Sequence, residues 1–285
     1  MDWRKGVAGF FCAVVLAGCG GEVEDFEGEE ATAEAEGALI DGNALSANAL
    51  NLNALNLNAL NLNALNLNAL DAGALAAIRN AGPSGEMSRA FLRYAVGCAL
   101  STSQTFDFSW TDAGGVVHKE SYRGELAVAP AWANGPLDPE SQYMVSACVA
   151  ARVNYYQVPV IISIRSLREP LKTLTGSQEL ADYPDVEGAF WGNLFGAQPT
   201  MHACYNSATV SNSRSHKRDC AVGHVTTDPD TGAEITTECG IIDIVGPCSQ
   251  FCQGLNGAGQ YYPSCIQNPG QSTTTTKAVV TTALP

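Results

Sequence analysis

Eight of the ten cysteines in this 285-residue chain fall after residue 97, at Cys98, Cys148, Cys204, Cys220, Cys239, Cys248, Cys252 and Cys265. No other feature restricts the fold as strongly. An even set in a chain that leaves the cytoplasm is expected to close into disulfides, here four. Each such bridge typically contributes about 2–4 kcal/mol. Whether the cysteines oxidise depends on where the chain folds, and the N-terminus bears on that.

Arg4 and Lys5 give a positive start, and Val7 to Leu16 is apolar. That run suits the core of an export signal and falls well short of the roughly 20 residues a membrane-spanning helix needs. It closes with Leu16-Ala17-Gly18-Cys19. In this order, charge, apolar core, small residues and cysteine resemble the lipobox of bacterial lipoproteins. The resemblance implies cleavage before Cys19, lipidation of Cys19 and a signal peptide of residues 1–18. The alternative is an ordinary signal peptide cut after a small-residue site. More than one acyl chain is needed for stable anchoring, and the lipoprotein family supplies two or three. Its sorting rule retains chains with Asp after the lipidated cysteine in the inner membrane. Gly20 stands there, which points to the outer membrane of a Gram-negative cell. The expected address is therefore the cell envelope, with the membrane reached through the N-terminal lipid.

Gly20 to Glu36 carries Glu22, Glu24, Asp25, Glu27, Glu29, Glu30, Glu34 and Glu36 without a basic residue. Such a run repels itself and stays solvated. It reads as an acidic tether, residues 19–42, that holds the body off an anionic surface; the alternative is a tail for cations or a basic partner. A period-five repeat follows over residues 43–77, built on Asn-Ala-Leu-Asn-Leu copies at Asn48, Asn53, Asn58 and Asn63. Five residues turn a helix by about 500°, which smears the leucines around the axis. An odd period also flips a strand's leucines at each copy. The pattern weakly resembles pentapeptide-repeat proteins, which coil with one repeat per side. Three readings follow: an irregular tether, a short coil docked on the next domain, or a helix.

Arg79 is the first basic residue after the leader, and from there the composition is that of an ordinary globular domain, residues 79–285. About 205 residues can bury a substantial core. Residues 19–78 carry a net −10 and residues 79–285 a net −5. So acidic a chain is not suited to neutralising phosphates, and nucleic acid is excluded as a partner.

Ser84 is a candidate cap for a helix to about Leu100, with Met87, Phe91, Tyr94, Ala95 and Cys98 on one face. Phe106, Phe108 and Trp110 alternate as in a strand, Asp112 to Gly115 turns, and Val116 to Tyr122 returns. Gly124 to Ala129 reads as a strand ended by Pro130. Asp138-Pro139-Glu140 starts a helix expected to reach about Tyr156. Val160 to Ile164 is a core strand, and Asp182 to Phe195 is ambiguous. Ala221 to Thr227 and Glu234 to Cys239 flank the hairpin turn Asp228-Pro229-Asp230-Thr231-Gly232. Ile241 to Val245 and Ala278 to Leu284 are further strands. The mix predicts an α+β fold: a single disulfide-bonded domain of mixed helices and antiparallel strands after a low-complexity tether. Cys98 and Cys148, on the apolar faces of the two helices, are expected to pair. The other six cysteines pair among themselves, with Cys220 and Cys239 near neighbours across the hairpin.

Chemical motifs are sparse. The chain has no G-x-S-x-G, no H-E-x-x-H and no P-loop, and it calls for no cofactor or metal. His202/Cys204 and Cys220/His224 offer zinc-type donors, but the spacing is not that of a finger and an oxidising compartment disfavours thiolates. Cys248 to Cys252 has three residues between its cysteines, so the redox C-x-x-C motif is absent. Asp182, Asp185 and Glu187 read as a solvated acidic loop rather than calcium ligands. Arg214 with His216-Lys217-Arg218 reads as a solvated basic loop, and His118 as a surface imidazole. Tyr155-Tyr156, Tyr261-Tyr262, Trp132 and Trp191 read mainly as core, with a glycan or protein contact surface as the alternative. Val145 to Cys148, Arg152 to Asn154 and Glu187 to Phe195 are similar to segments of uncharacterised exported lipoproteins of myxobacteria, which carry Asn-Leu repeats after a lipobox. That resemblance brings no activity and no catalytic residue. The expected function is a binding or structural role in the envelope, with a protein or glycan ligand. The alternative is an envelope hydrolase in which one of His118, His202, His216 or His224 meets a carboxylate and a nucleophile.

Overall fold

A computed structural model of the chain describes residues 38–40, 45, 65 and 72–285. They lie in one compact unit, Thr32–Pro285. The leader, Cys19, the acidic run and most of the repeat lie outside the described residues.

The elements in chain order are β1 (Ala38–Ile40), α1 (Ala72–Ile78), α2 (Pro83–Ala99), β2 (Thr105–Thr111), β3 (Val117–Arg123), α3 (Pro139–Ala151), β4 (Ile162–Arg165), α4 (Gln178–Asp182), β5 (Asp185–Asn193), β6 (Thr200–Tyr205), α5 (Val210–Ser215), β7 (His224–Thr227), β8 (Glu234–Thr237), β9 (Ile242–Pro247), α6 (Cys248–Phe251), β10 (Cys265–Ile266), β11 (Thr275–Thr276) and β12 (Val280–Leu284). The fold is α+β. Its main sheet has the order β1-β4-β12-β5-β6-β9. All its pairs are antiparallel except β6 with β9, which run parallel. The last strand, β12, is therefore inserted between β4 and β5, so the C-terminus closes the middle of the sheet.

Helix α3 packs on one face with α2 lying against it, and the C-terminal loops cover the other. The two faces have separate cores. Phe91, Ala95, Val145, Phe190, Ala203, Val280 and Leu284 belong to the first. Val186, Ala189, Trp191, Cys204, Tyr262, Val279 and Ala283 belong to the second. Strand β5 feeds both, Phe190 to one side and Ala189 and Trp191 to the other. It is buried from Val186 to Gly192, so polar residues do not alternate along it and the sequence leaves it ambiguous. Gly188 and Gly192 add to that ambiguity. A Cβ on Gly188 would meet the carbonyl oxygen of Cys204 at 2.1 Å, and one on Gly192 would meet that of Thr200 at 2.2 Å. These glycines let β6 lie against β5.

Several boundaries differ from the sequence expectation. Helix α2 starts at Pro83 with Gly82 as its cap residue, and Ser84 lies inside the helix. Its hydroxyl is not the cap, because proline suits the first helical position, where its missing N–H costs nothing. The expected strand Gly124 to Ala129 is absent. Its backbone N–H groups instead reach the end of α2: Leu126 donates to Gly97 (2.9 Å), Val128 to Cys98 (3.1 Å), Ala129 to Ala99 (2.9 Å) and Ala127 to Leu100 (3.0 Å). A helix end leaves unpaired carbonyls that must be satisfied when buried, and this segment satisfies them.

Helix α3 ends at Ala151, short of Tyr156. The Arg218 guanidinium takes its terminal carbonyls, donating to Ala151 (2.9 Å) and Val153 (2.8 Å). Asn154 then turns the chain through its own side chain. Its Nδ2 donates to the Val158 carbonyl at 2.8 Å, and its Oδ1 accepts from Tyr156 N–H at 2.9 Å. Side chains of this type compete with the helical backbone.

At the other end of α3, Asp138 accepts from the N–H groups of Glu140 and Ser141, both at 3.0 Å. The Ser141 hydroxyl bond and then these N–H bonds hold its carboxyl below the usual aspartate range. A depressed folded-state pKa stabilises above the unfolded value and fades as pH falls through the folded one. Asp138→Ala should therefore cost about 1 kcal/mol at pH 7. In denaturant titrations the gap from wild type should shrink as pH falls through the ordinary aspartate range and below it; a gap that stays constant on acidification would contradict the capping account.

The body also takes in residues N-terminal to Arg79. Ala38 to Ile40 form the edge strand beside Ile162 to Ile164. Leu45 is 1% exposed and Leu65 is 4% exposed, and both join the helix-side core. Leu45 N–H donates to Arg152 at 3.3 Å, Asn154 N–H donates to Leu45 at 2.9 Å, and Leu65 N–H donates to Trp132 at 2.7 Å. The degenerate end of the repeat forms α1, and Ile78 is fully buried. Burying apolar leucine and isoleucine is worth roughly 1.5–3 kcal/mol each, which explains why these residues join the domain.

Four disulfides cross-link the fold. Cys98–Cys148 ties α2 to α3, Cys220–Cys239 closes the β7–β8 hairpin, Cys204–Cys248 ties β6 to α6, and Cys252–Cys265 ties α6 to β10. The expected Cys98–Cys148 and Cys220–Cys239 pairs both form.

Candidate functional site

Arg218, although buried, organises an aromatic surface. It is fully buried, and its Nη2 lies 3.1 Å from Glu187 Oε2 on β5. The same oxygen accepts from the Thr282 hydroxyl at 2.7 Å. Two sequence readings are corrected here. Arg218 is not part of a solvated basic loop, and Glu187 is not part of a solvated acidic one. The two charges pair in the interior because Arg218 satisfies carbonyls left at the end of α3 and Glu187 supplies its counter-charge.

With Arg218 anchored at the end of α3, the next residue, Asp219, is pressed against the chain that follows the helix. Asp219 is 3% exposed. Its Oδ2 accepts from the Tyr156 hydroxyl at 3.0 Å and lies 2.8 Å from His224 Nδ1. Tyr155 stacks on the His224 ring at 3.8 Å, and Tyr156 meets it edge-on at 5.5 Å. The Cys220–Cys239 bridge fixes the loop between Asp219 and His224. Gly223, with φ of +81°, makes the turn before His224; a Cβ there would meet Thr236 Cγ2 at 2.2 Å.

The result is an aromatic surface on a buried carboxylate. Tyr156 stays 40% exposed with its hydroxyl turned inward. Burial, then the hydrogen bond to Asp219, push its phenol above the ordinary value. A carboxylate at Nδ1 places the ring proton there and orients the imidazole. Asp219 Oδ1 is buried and makes no hydrogen bond among the described residues.

The other aromatics singled out in the sequence lie inside. Trp132 and Trp191 are at most 1% exposed, and Tyr261 and Tyr262 are 6% exposed. Trp191 Nε1 donates to the Ile266 carbonyl at 2.8 Å. Tyr155 and Tyr156 alone of that set reach the surface. Asp219 carried no signal by itself in the sequence. The available clue was its place next to a bridged cysteine and five residues before a histidine.

Two further histidines meet carboxylates. His118 Nε2 lies 2.9 Å from Asp112 Oδ2, and its ring stacks on Trp110 at 4.1 Å; the Arg89 guanidinium lies 4.3 Å from the centre of the same Trp110 ring. The His118 hydrogen bond holds the Asp112 carboxyl below its usual range. His202 Nδ1 lies 3.1 Å from Asp243 Oδ2 across the parallel β6–β9 pair. Burial holds the His202 ring below the ordinary histidine value. His216 Nδ1 lies 3.0 Å from the Asn212 carbonyl instead.

A hydrolytic triad needs a nucleophile at the ring nitrogen opposite the carboxylate. At His224 the Tyr156 hydroxyl and Asp219 meet the same nitrogen. A cleft of about 570 Å³ lies elsewhere, at the start of α3, lined by Asp138, Glu140, Arg168, Glu169 and Lys277 and by no histidine. Three of these charged groups are engaged: Asp138 caps α3, and Arg168 pairs with Glu140.

For a metal, Cys204, Cys248 and Cys252 bring three sulfurs within 4.8 Å of one another. All three are disulfide-bonded and so present no thiolate, the form that binds zinc. Cys220 is likewise bridged. Among the described residues no helix is long and apolar enough to cross a membrane. Compared with protein-family models, curated proteins and solved structures, the chain matches none.

Proposed function

We propose that this protein is a lipid-anchored lipoprotein of the cell envelope whose disulfide-bonded domain binds a protein or glycan ligand through Tyr155, Tyr156 and His224. The observation that carries the binding reading is the exposed Tyr156 ring beside the Tyr155–His224 stack, all set on buried Asp219. Aromatic rings held rigidly at a surface bind sugars and apolar side chains at low entropic cost. The lipobox-like Leu16 to Cys19 supports the anchor and the outer membrane address. Four bridges among eight cysteines fit folding in an oxidising compartment.

Truncation of a central aromatic at an interface costs about 2 kcal/mol, or roughly thirty-fold in Kd. Tyr156→Ala in the full chain should show that loss on an immobilised glycan panel or on purified peptidoglycan. For a protein ligand, a photo-crosslinker at Tyr156 should capture one partner in cells, and one at Lys119 should not. No retention on any glycan together with no Tyr156-specific adduct would end the binding reading. The anchor is tested separately by fatty-acid labelling, which Cys19→Ala should abolish. Equal labelling of both forms would reject lipidation there.

A further inference from the structure

Cys204 has two possible disulfide partners one helical turn apart. Cys248 opens α6 and Cys252 follows its last residue, with Cys252 N–H donating to the Cys248 carbonyl at 2.8 Å. The sulfurs of Cys204, Cys248 and Cys252 lie within 4.8 Å of one another, so the last two both face Cys204 on β6. Cys204 Sγ is bonded to Cys248, and Cys252 Sγ lies 3.5 Å away. That is van der Waals contact between two disulfides. Cys204, Cys248 and Cys265 are at most 1% exposed, whereas Cys252 is half-buried. An external reagent therefore meets Cys252 first.

We propose that Cys204, Cys248 and Cys252 form a thiol–disulfide exchange site, entered at Cys252 by an external dithiol. The dithiol's first thiolate attacks Cys252 Sγ. The Cys252–Cys265 bond breaks, and Cys265 leaves as a thiolate. The dithiol's second thiolate then attacks its own sulfur in the mixed disulfide. The reagent closes to a cyclic disulfide, and Cys252 is released as a thiolate. Cys252 next attacks Cys204 Sγ, forming Cys204–Cys252 and expelling Cys248 with the electron pair of the old bond. Cys248 and Cys265 end as thiols, their protons and the two electrons supplied by the dithiol. Exchange of this kind needs only a thiolate in contact with a bridge. The interior step uses sulfurs already touching, so α6 need only change which of its two cysteines holds β6. The site is separate from the Tyr155–Tyr156 surface and stands whether or not the chain is lipidated.

The experiment uses the full oxidised chain with limiting dithiothreitol, followed by alkylation of free thiols. Chymotrypsin cleaves after Phe251 and so separates Cys248 from Cys252. The expected product is a Cys204–Cys252 linked peptide, absent before reduction, with alkyl groups on Cys248 and Cys265. Alkyl groups on Cys252 and Cys265 with Cys204–Cys248 intact would overturn the exchange. Opening of another bridge first would overturn the entry at Cys252. The Cys265→Ser variant gives a second reading without reductant, since it leaves Cys252 free from the start. It should contain both Cys204–Cys248 and Cys204–Cys252 peptides; Cys204–Cys248 alone, with Cys252 fully alkylated, would count against the site.

Discussion

Arg218→Met should destabilise the protein by about 3–5 kcal/mol, the usual cost of stranding one partner of a buried ion pair. Arg218 and Glu187 have no exposed side-chain surface. Removing the guanidinium leaves the Glu187 carboxylate in the interior, still accepting from the Thr282 hydroxyl but without a counter-charge. It also uncaps α3, because Arg218 supplies donors to Ala151 and Val153. The loss should appear as a lower denaturation midpoint with all disulfides oxidised. Arg218→Met/Glu187→Gln should recover part of it, since the stranded charge is gone while an amide can still bond to Thr282. The uncapped carbonyls of α3 would remain, so recovery should be incomplete. A single variant within about 1 kcal/mol of wild type would show that the pair is not what holds this loop to the sheet.

The second large effect concerns the bridge between the two long helices. Cys98–Cys148 closes a loop with a sequence separation of 50, for which chain entropy gives about 4 kcal/mol. Cys98→Ala/Cys148→Ala should lose about that much without adding a buried hydroxyl, as serine would. For a domain of this size the melting temperature should fall by about 10 °C. Cys252–Cys265, with a separation of 13, should cost less when removed, about 3 kcal/mol. The ordering is as telling as the size. If opening the short C-terminal bridge hurt more than opening the helix–helix bridge, unfolded-state entropy would not be the main source of their stability.

Local patterns legible in the sequence hold where one signal dominates. Asp138 followed by Pro139 starts α3, because a carboxylate acceptor and a preset φ serve a helix end irrespective of what packs above it. Phe106, Phe108 and Trp110 alternate because β2 buries one side only. Cys98 and Cys148 pair because both occupy the apolar faces of helices that must pack together. The failures share a cause. The stretch Gly124 to Ala129 looks extended, yet its hydrogen bonds go to the end of α2 rather than to a strand. β5 defied assignment because it is covered on both faces. Asp219, the carboxylate under Tyr156 and His224, had no local pattern around it.

The repeat shows the same division. A five-residue period ruled out one continuous apolar stripe or face, and that argument needed only the geometry of helices and strands. Which leucines would be used is a different matter, since neighbouring copies are nearly identical. Leu45 enters the core because its backbone bonds with Arg152 and Asn154, and Leu65 because its N–H reaches Trp132.

What the amino-acid order determined alone was the α+β mix, the start of α3, the hairpin turns and the parity of the cysteines, because each depends on composition or on torsions and hydrogen bonds spanning a few residues. Tertiary structure decided that Arg218 and Glu187 would be buried, that Tyr156 would stay outside while Trp191 went in, and that Cys204 would have two sulfurs within reach. Those outcomes depend on groups tens of residues apart competing for the same carbonyl, carboxylate or cavity, and only the folded chain brings the competitors together.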